Sequence, residues 1–332
     1  MESTEVQQLF FQHIKAGLPP HLSLVDEVAE VLSISNDSAY RRIRGEKVIS
    51  FDEIQKLSAH YKVSLDQFLH LQSDAIIFTG RVNHQSETVF EDYLESVHKN
   101  LCLINSFEKR HLYFLMKDIP PFVHFQVPEL SAFKFYFWTK SILHYESMQK
   151  VKFSLNDPLY EKFYGLSKNV IDAYNKVPTT EIWNVESINS TIRQIEFYRD
   201  SGLYKNESDV KLLYDKLEEL INHIERQAET GLKFNIGTGP GSNAAPYRLF
   251  VNEFVTLDNT LMAEVNNVKL TFLNHSVLYF VSTRDEAFNK AMFTTLDNLM
   301  KKSTLISEVG EKERTRFFKI LRDKIHARRK SL

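Results

Sequence analysis

The sequence predicts a mainly α-helical protein that ends in a small α+β region. Its 332 residues include 10 Gly and 9 Pro, and so few chain-breaking residues over this length favour long helices. In the middle of the chain, apolar residues recur every three to four positions, the spacing of one buried helix face. After the Gly-rich segment 237–242 the pattern changes to that of short strands.

Composition places the chain among ordinary globular proteins. Hydrophobic residues make up 43% and charged residues 25%, which excludes wholesale disorder and collagen-like chains. Because 41 Lys and Arg are balanced by 43 Asp and Glu, the chain has no overall positive charge, and binding to nucleic acid or anionic lipid requires a local basic patch. The first residues lack the apolar core of a signal peptide, and no apolar run is long enough for a membrane span. We therefore expect a cytoplasmic protein that makes no membrane contact.

Four regions are predicted along the chain. Short helices with tight turns occupy 1–72, a polar linker 73–87, a succession of amphipathic helices 88–235, and a small α+β region 236–332. Alternatively, 88–332 form one sensor or dimerisation unit. Helices are expected over 89–104, 129–144, 159–175, 181–199, 208–229, 284–303 and 311–329, and an antiparallel meander over 247–256, 261–265 and 268–282.

Residues 24–68 carry the informative pattern. A short buried helix is predicted over 24–32, and its small Ala29 lets another helix approach closely. After a break of about three residues, Ser35 stands in the N-cap position of a second helix, which begins at Asn36. Gly45 ends this second helix, as glycine commonly does.

The second helix has two chemically different sides. Projected at 100° per residue, Ala39 and Ile43 form its buried seam. The opposite side carries arginines, short polar groups and a tyrosine, namely Asp37, Ser38, Arg41 and Arg44 with Tyr40 on the flank. In a major groove, Arg reads guanine and Ser contacts bases or phosphates, while the first-turn amides favour a phosphate.

The positive charge of the N-terminal region is concentrated at this helix. Residues 40–47 carry four basic side chains and one acidic one, whereas residues 1–85 together hold 8 basic and 11 acidic side chains. A further helix is N-capped by Ser50, with Glu53 at the capping-box spacing. The segment Val63-Ser64-Leu65-Asp66 then leads into a last short helix.

These features together resemble the helix-turn-helix domain of the λ-repressor/Cro (XRE-like) family. The resemblance is carried by 27–29, the Ile34-Ser35 turn, the Arg44-Gly45 helix end and the 63–66 segment, and it covers about a fifth of the chain. It implies a compact five-helix domain that binds DNA, usually as a dimer. The sequence departs from the family at Ser33, where a glycine is usual.

We therefore expect a transcriptional regulator that binds double-stranded operator DNA as a homodimer through the helix beginning at Asn36. A sensor or dimerisation region, open to a small-molecule or peptide effector, would follow. The alternative is a protein-interaction or scaffold protein whose helical region binds a partner. The expected DNA-binding residues are Ser35, Asn36, Asp37, Ser38, Tyr40, Arg41, Arg42, Arg44 and Lys47.

No motif predicts an enzyme, a cofactor or a metal site. The loop 237–242 lacks the GK[ST] and strand–loop–helix context of a nucleotide-binding loop, so we interpret it as a connector. The 12 histidines show no metal-ligand spacing. The single cysteine, Cys102, excludes an internal disulfide, and its apolar neighbours predict a buried side chain.

Two further segments leave alternatives open. The aromatic run 132–138 forms either an ordinary helical core or the wall of a ligand pocket or dimer interface. The segment 311–330 has nine basic and three acidic residues, together with apolar residues spaced to form one face of a helix. It is either an auxiliary phosphate contact or a solvated basic helix.

Overall fold

The computed structural model describes residues 3–18, 22–61, 63, 65–68, 76–80, 89–254, 259–274 and 279–330. The chain divides into two compact units, Met1–Ile77 and Phe78–Leu332. The predicted linker 73–87 lies outside the described residues apart from 76–80. No described helix is both long and apolar enough to cross a membrane.

The first unit consists of helices among its described residues. They are α1 (Ser3–Gly17), α2 (Leu24–Leu32), α3 (Asn36–Ile43), α4 (Phe51–Tyr61) and α5 (Leu65–Phe68). Large side chains of α1 and α2 pack around two small ones, Ala29 and Ala39, in a single core. Because Ala29 is 5% and Ala39 0% exposed, α2 and α3 touch along a seam with little side-chain bulk.

The second unit combines helices with one sheet. Its helices are α6 (Val89–Asn105), α7 (Pro128–Phe137), α8 (Glu161–Tyr174), α9 (Asn189–Asp200), α10 (Ser208–Thr230), α11 (Glu286–Lys301) and α12 (Glu311–Arg329). A π-helical turn, Trp138–Ile142, continues α7. These bounds agree closely with the helices predicted from apolar spacing at 89–104, 208–229, 284–303 and 311–329.

The strands in the described part of the chain form one mixed, eight-stranded sheet. They are β1 (Thr79–Gly80), β2 (Arg110–Leu115), β3 (Thr179–Trp183), β4 (Tyr247–Val251), β5 (Thr260–Val265), β6 (Val268–Asn274), β7 (Phe280–Thr283) and β8 (Thr304–Leu305). The strand order is β1-β7-β6-β5-β2-β3-β4-β8. The adjacent strands β2, β3 and β4 are parallel, with Leu112 opposite Thr179 and Thr179 opposite Tyr247, whereas the other pairs are antiparallel.

Two predictions for this part of the chain are wrong. The residues predicted as one helix over 181–199 contain β3 followed by α9, and the predicted helical region 88–235 contributes both β2 and β3 to the sheet. All five residues of β3 are buried. A strand buried on both faces shows no alternation of polar and apolar residues, so its pattern does not distinguish it from a buried helix.

The α+β region is consequently larger than predicted. The antiparallel meander is confirmed for β5, β6 and β7, but β4 pairs in parallel with β3 instead of joining the meander. One face of the sheet joins the main core, to which α6–α10 and α12 contribute. The other face packs against α11 through Phe293, Leu296 and Leu299. The sheet thus lies between the helices of the main core and α11.

Candidate nucleic-acid interface

The turn between α2 and α3 has a defined hydrogen-bond pattern. Ser33 adopts a left-handed conformation, with φ 54° and ψ 49°. The backbone N–H of Ser33 donates to the carbonyl of Glu30 (3.1 Å), and that of Ile34 donates to Ala29 (3.0 Å). This is the Schellman arrangement, in which glycine is usual at the left-handed position. The residue that departs from the family pattern therefore sits at the most strained point of the turn.

The start of α3 is held by side-chain hydrogen bonds. The hydroxyl of Ser35 accepts from the backbone N–H of Ser38 (3.3 Å), so Ser35 is the N-cap as predicted. The side-chain amide of Asn36 donates to Asp26 of α2 (2.8 Å). The first bond caps α3 and the second ties its N-terminal turn to α2, so Ser35 and Asn36 are structural residues whatever else they contact.

Arg42, one of the DNA-binding residues expected from the sequence, is buried. Its side chain is 7% exposed and forms a bidentate pair with Glu53 of α4, with Nε–Oε2 3.1 Å and Nη2–Oε1 2.6 Å. Its Nη1 also donates to the carbonyl of Ser38 (3.1 Å). Because each of the three guanidinium nitrogens donates to a partner inside the unit, we correct the sequence interpretation and remove Arg42 from the candidate surface.

Glu53 completes this buried junction. Its carboxylate also accepts from the backbone N–H of Ser50 (3.0 Å), and the Ser50 hydroxyl accepts from the N–H of Glu53 (3.3 Å). This is the predicted capping box of α4. The hydrogen bond from Arg42 holds the pKa of the Glu53 carboxyl below its usual range. The same carboxylate therefore caps α4 and ties α4 to α3.

The exposed side of α3 retains the other predicted residues. Asp37 and Arg41 are exposed and form no side-chain hydrogen bond or ion pair with any residue that the structure describes. Tyr40 is 48% exposed, and the Arg44 guanidinium lies 5.5 Å from the centre of its ring. Arg44 also pairs with Glu46 at 3.3 Å, but both side chains are about half exposed, so this contact contributes little.

The loop after α3 is held by a residue that sequence reasoning missed. The buried side-chain amide of Gln7 in α1 donates to the carbonyls of Arg42 (2.7 Å) and Lys47 (2.8 Å), and its oxygen accepts from the N–H of Ile49 (3.0 Å). Neighbouring Gln8 donates to the carbonyl of Arg44 (2.7 Å). The loop bearing exposed Lys47 is thereby fixed. The residues around Gln7 in the sequence do not indicate this role, because its hydrogen-bond partners lie 35 to 42 residues away.

The second unit contains a buried carboxylate on an interior strand of its sheet. Glu181 in β3 accepts from the hydroxyls of Tyr174 and Tyr247 (3.0 Å to Tyr247) and from the indole N–H of Trp183 (2.9 Å). Burial raises the pKa of Glu181, and burial lowers the pKa of nearby Lys233, whose ammonium donates to the carbonyl of Tyr174 (2.8 Å). Since these groups satisfy one another, the cluster joins β3, β4 and α8.

Another buried cluster joins α7 to α9. The ammonium of Lys134 donates to the hydroxyl of Thr191 (2.9 Å) and the side-chain carbonyl of Gln194 (2.7 Å), both neutral acceptors. His124 lies within hydrogen-bond distance of the same Thr191 hydroxyl (3.0 Å). Burial lowers the pKa of Lys134 to about 7. The sequence did not predict a buried role for Lys134, because the surrounding residues are those of an ordinary aromatic helical core.

The segments left open by the sequence are resolved in part. Phe133, Phe135 and Tyr136 of the aromatic run are fully buried, as in an ordinary core. Basic side chains of α12 form ion pairs with acidic residues between 186 and 225, which disfavours an auxiliary phosphate contact; they are Arg322, Lys324, Arg328 and Arg329. Cys102 was predicted buried but is exposed beside His98 (3.3 Å between Sγ and Nε2).

No group of three metal-ligating side chains lies together among the described residues. Comparison with known proteins found no matching family model, no matching curated protein and no matching solved structure.

Proposed function

We propose that this chain is a transcriptional regulator of the helix-turn-helix class, similar to the λ-repressor/Cro family, that binds operator DNA through α3. The observation that carries the proposal is the two-sided packing of α3. Ala39 is fully buried against the core of the first unit, while Arg41 and Arg44 are exposed on the other side. The helix is eight residues long, and an α-helix with its side chains is about 10–12 Å across, comparable to the width of the major groove.

Charge around α3 supports a contact with phosphates. The exposed cations Arg41, Arg44 and Lys47 lie on the helix and the loop that follows it. The first-turn amides at the N-terminal end of α3 add the positive pole of the helix dipole. In this proposal Ser35, Asn36, Ser38 and Tyr40 border the groove, and Arg42 acts only by holding α3 in place.

The size of α3 favours binding as a homodimer. A length of about 12 Å covers roughly four base pairs at 3.4 Å each, which is too few for an operator to be unique. Two copies on half-sites about 34 Å apart would double the sequence that is read. The second unit would then supply dimer contacts and respond to a small-molecule or peptide effector. This function is non-catalytic, and it places the protein in the cytoplasm with the DNA.

The test is a binding titration of the full chain with fluorescent duplex DNA. Selection from random duplexes yields the ligand, and anisotropy is then measured between about 50 mM and 200 mM salt. We expect affinity to fall steeply with salt, because binding releases counterions from phosphates. The double variant Arg41→Ala and Arg44→Ala should abolish binding.

A matched control removes two exposed lysines elsewhere in the first unit. Lys15→Ala with Lys56→Ala deletes the same charge from α1 and α4 and should leave most of the affinity intact. Equal losses in both double variants would show that α3 has no special role. Failure of the wild type to enrich any sequence, or binding that is insensitive to salt, would contradict the proposal and favour the scaffold alternative.

A further inference from the structure

Two side chains of α3 differ from the rest of its polar surface. Asp37 and Arg41 are exposed and have no side-chain hydrogen bond or ion pair within the described parts of the chain. The remaining exposed or half-exposed polar side chains of α3 and its caps are engaged by neighbours, namely Ser35, Asn36, Ser38, Tyr40 and Arg44. Asp37 and Arg41 are therefore the charged side chains of α3 that no described residue engages, and both are available to an external ligand.

Asp37 and Arg41 also stand in a simple geometric relation. Residues four apart on an α-helix lie on one face, about 6 Å apart along the axis. Stacked base pairs are separated by about 3.4 Å. A helix lying in the major groove therefore places these two side chains opposite base pairs that are one or two steps apart.

The chemistry of each side chain selects a base. An ionised carboxylate only accepts hydrogen bonds, and in the major groove its matching donor is the N4 amino group of cytosine. Thymine and guanine present oxygen acceptors that repel a carboxylate, and adenine places its N7 acceptor beside its amino group. A guanidinium donates in a fork that matches O6 and N7 of guanine.

We propose that Asp37 reads a cytosine and Arg41 reads a guanine in two base pairs one or two steps apart in each half-site. This inference rests on the proposed function and names the sequence class that α3 recognises. A carboxylate facing DNA weakens non-specific binding, because phosphates repel it. Asp37 therefore contributes discrimination at the expense of general affinity, whereas Arg41 contributes to both.

The experiment compares variants that keep the shape of each side chain. Asp37→Asn removes the charge and supplies a donor, and Asn pairs with adenine rather than cytosine. Arg41→Lys keeps the charge but loses the fork. Asp52→Asn is the matched control, since Asp52 is an exposed aspartate in the first turn of α4. Each full-length protein is subjected to selection from random duplexes and then titrated with duplexes that differ at single base pairs.

For the wild type we expect selected sites to contain the cytosine and the guanine, with about tenfold weaker binding when either is replaced. Asp37→Asn should transfer the preference from cytosine to adenine and bind random DNA more tightly. Arg41→Lys should keep the salt dependence and lose the guanine preference. Asp52→Asn should select the wild-type sites, and amide hydrogen exchange should show that every variant is folded.

Three outcomes would overturn the inference separately from the function. Salt-dependent, selective binding whose sites lack the cytosine contradicts the role of Asp37, and sites lacking the guanine contradict that of Arg41. Unchanged selection by Asp37→Asn also refutes the inference while leaving DNA binding standing. Absence of any DNA binding by the wild type would contradict both this inference and the proposed function.

Discussion

Arg41 and Arg42 are adjacent in sequence, yet we expect opposite consequences when each is replaced by alanine. Arg42→Ala should destabilise the first unit strongly, because Arg42 is buried and paired with Glu53. Arg41→Ala should leave stability nearly unchanged, because its exposed side chain has no partner among the described residues. In DNA binding, by contrast, Arg41→Ala should remove a direct contact in the folded protein.

The magnitude follows from the bonds that Arg42 makes. Its replacement deletes two hydrogen bonds to Glu53 and one to the carbonyl of Ser38, and leaves the carboxylate without its counterion. Removing one partner of a buried pair costs about 3–5 kcal/mol. Since the Glu53 side chain is 19% exposed and is partly rehydrated, we expect about 3 kcal/mol. A unit of this size has a free energy of unfolding of about 4–11 kcal/mol, so the loss is substantial.

Amide hydrogen exchange of the full-length chain measures this difference. Amides of α2–α4 that exchange through unfolding of the first unit should lose roughly 150-fold protection in Arg42→Ala and less than about twofold in Arg41→Ala. Tryptophan fluorescence supplies an internal control, because both tryptophans, Trp138 and Trp183, lie in the second unit. The unfolding transition of the second unit, followed by this fluorescence, should be the same in both variants.

The reasoning is refuted if the two variants lose equal protection, or if Arg42→Ala loses none. A double-mutant cycle between Arg42→Ala and Glu53→Ala sharpens the test. We expect a coupling free energy of about 1–3 kcal/mol, because the two residues share one set of hydrogen bonds. A coupling near zero would mean that the pair contributes nothing and that Arg42 acts through packing alone.

Three further predictions concern individual side chains. Ser33→Gly should stabilise the first unit by about 1 kcal/mol in hydrogen exchange, because glycine adopts the left-handed conformation without a steric penalty; a destabilised variant would contradict the assigned turn. Gln7→Leu should lower protection across 45–49 by about 2 kcal/mol, whereas Gln8→Leu, which loses one exposed bond, should lose less than about 0.5 kcal/mol. Lys134 has a folded pKa of about 7, below its usual 10.5, so the unfolded state binds more protons between these values and stability should rise with pH above 7. In Lys134→Met we expect a second unit that is more stable and whose stability lacks the Lys134 contribution to the rise with pH; urea titration followed by tryptophan fluorescence measures both. A pH dependence equal to that of the wild type would contradict this prediction.

Local chemistry in the sequence was enough to predict the elements of the candidate site. Ser35 and Ser50 cap their helices through bonds to residues three positions away, and Ala39 follows from helical spacing. Caps and helical spacing depend on residues within one or two turns of the helix, so they can be predicted without knowing the fold. For the same reason the long, strongly periodic α10 was predicted almost to the residue.

Tertiary structure decided which of these residues face solvent. Arg41 and Arg42 have the same chemistry, and only the position of Glu53, eleven residues onward in α4, takes one of them out of the surface. Gln7 acquires its role from backbone groups 35 to 42 residues away. The strands β2 and β3 escaped prediction because parallel pairing joins segments more than 60 residues apart. The sequence by itself determined helix ends and apolar faces, since these depend on neighbours along the chain. Burial, pairing and strand partners depend on neighbours in space, so only the folded structure specifies them.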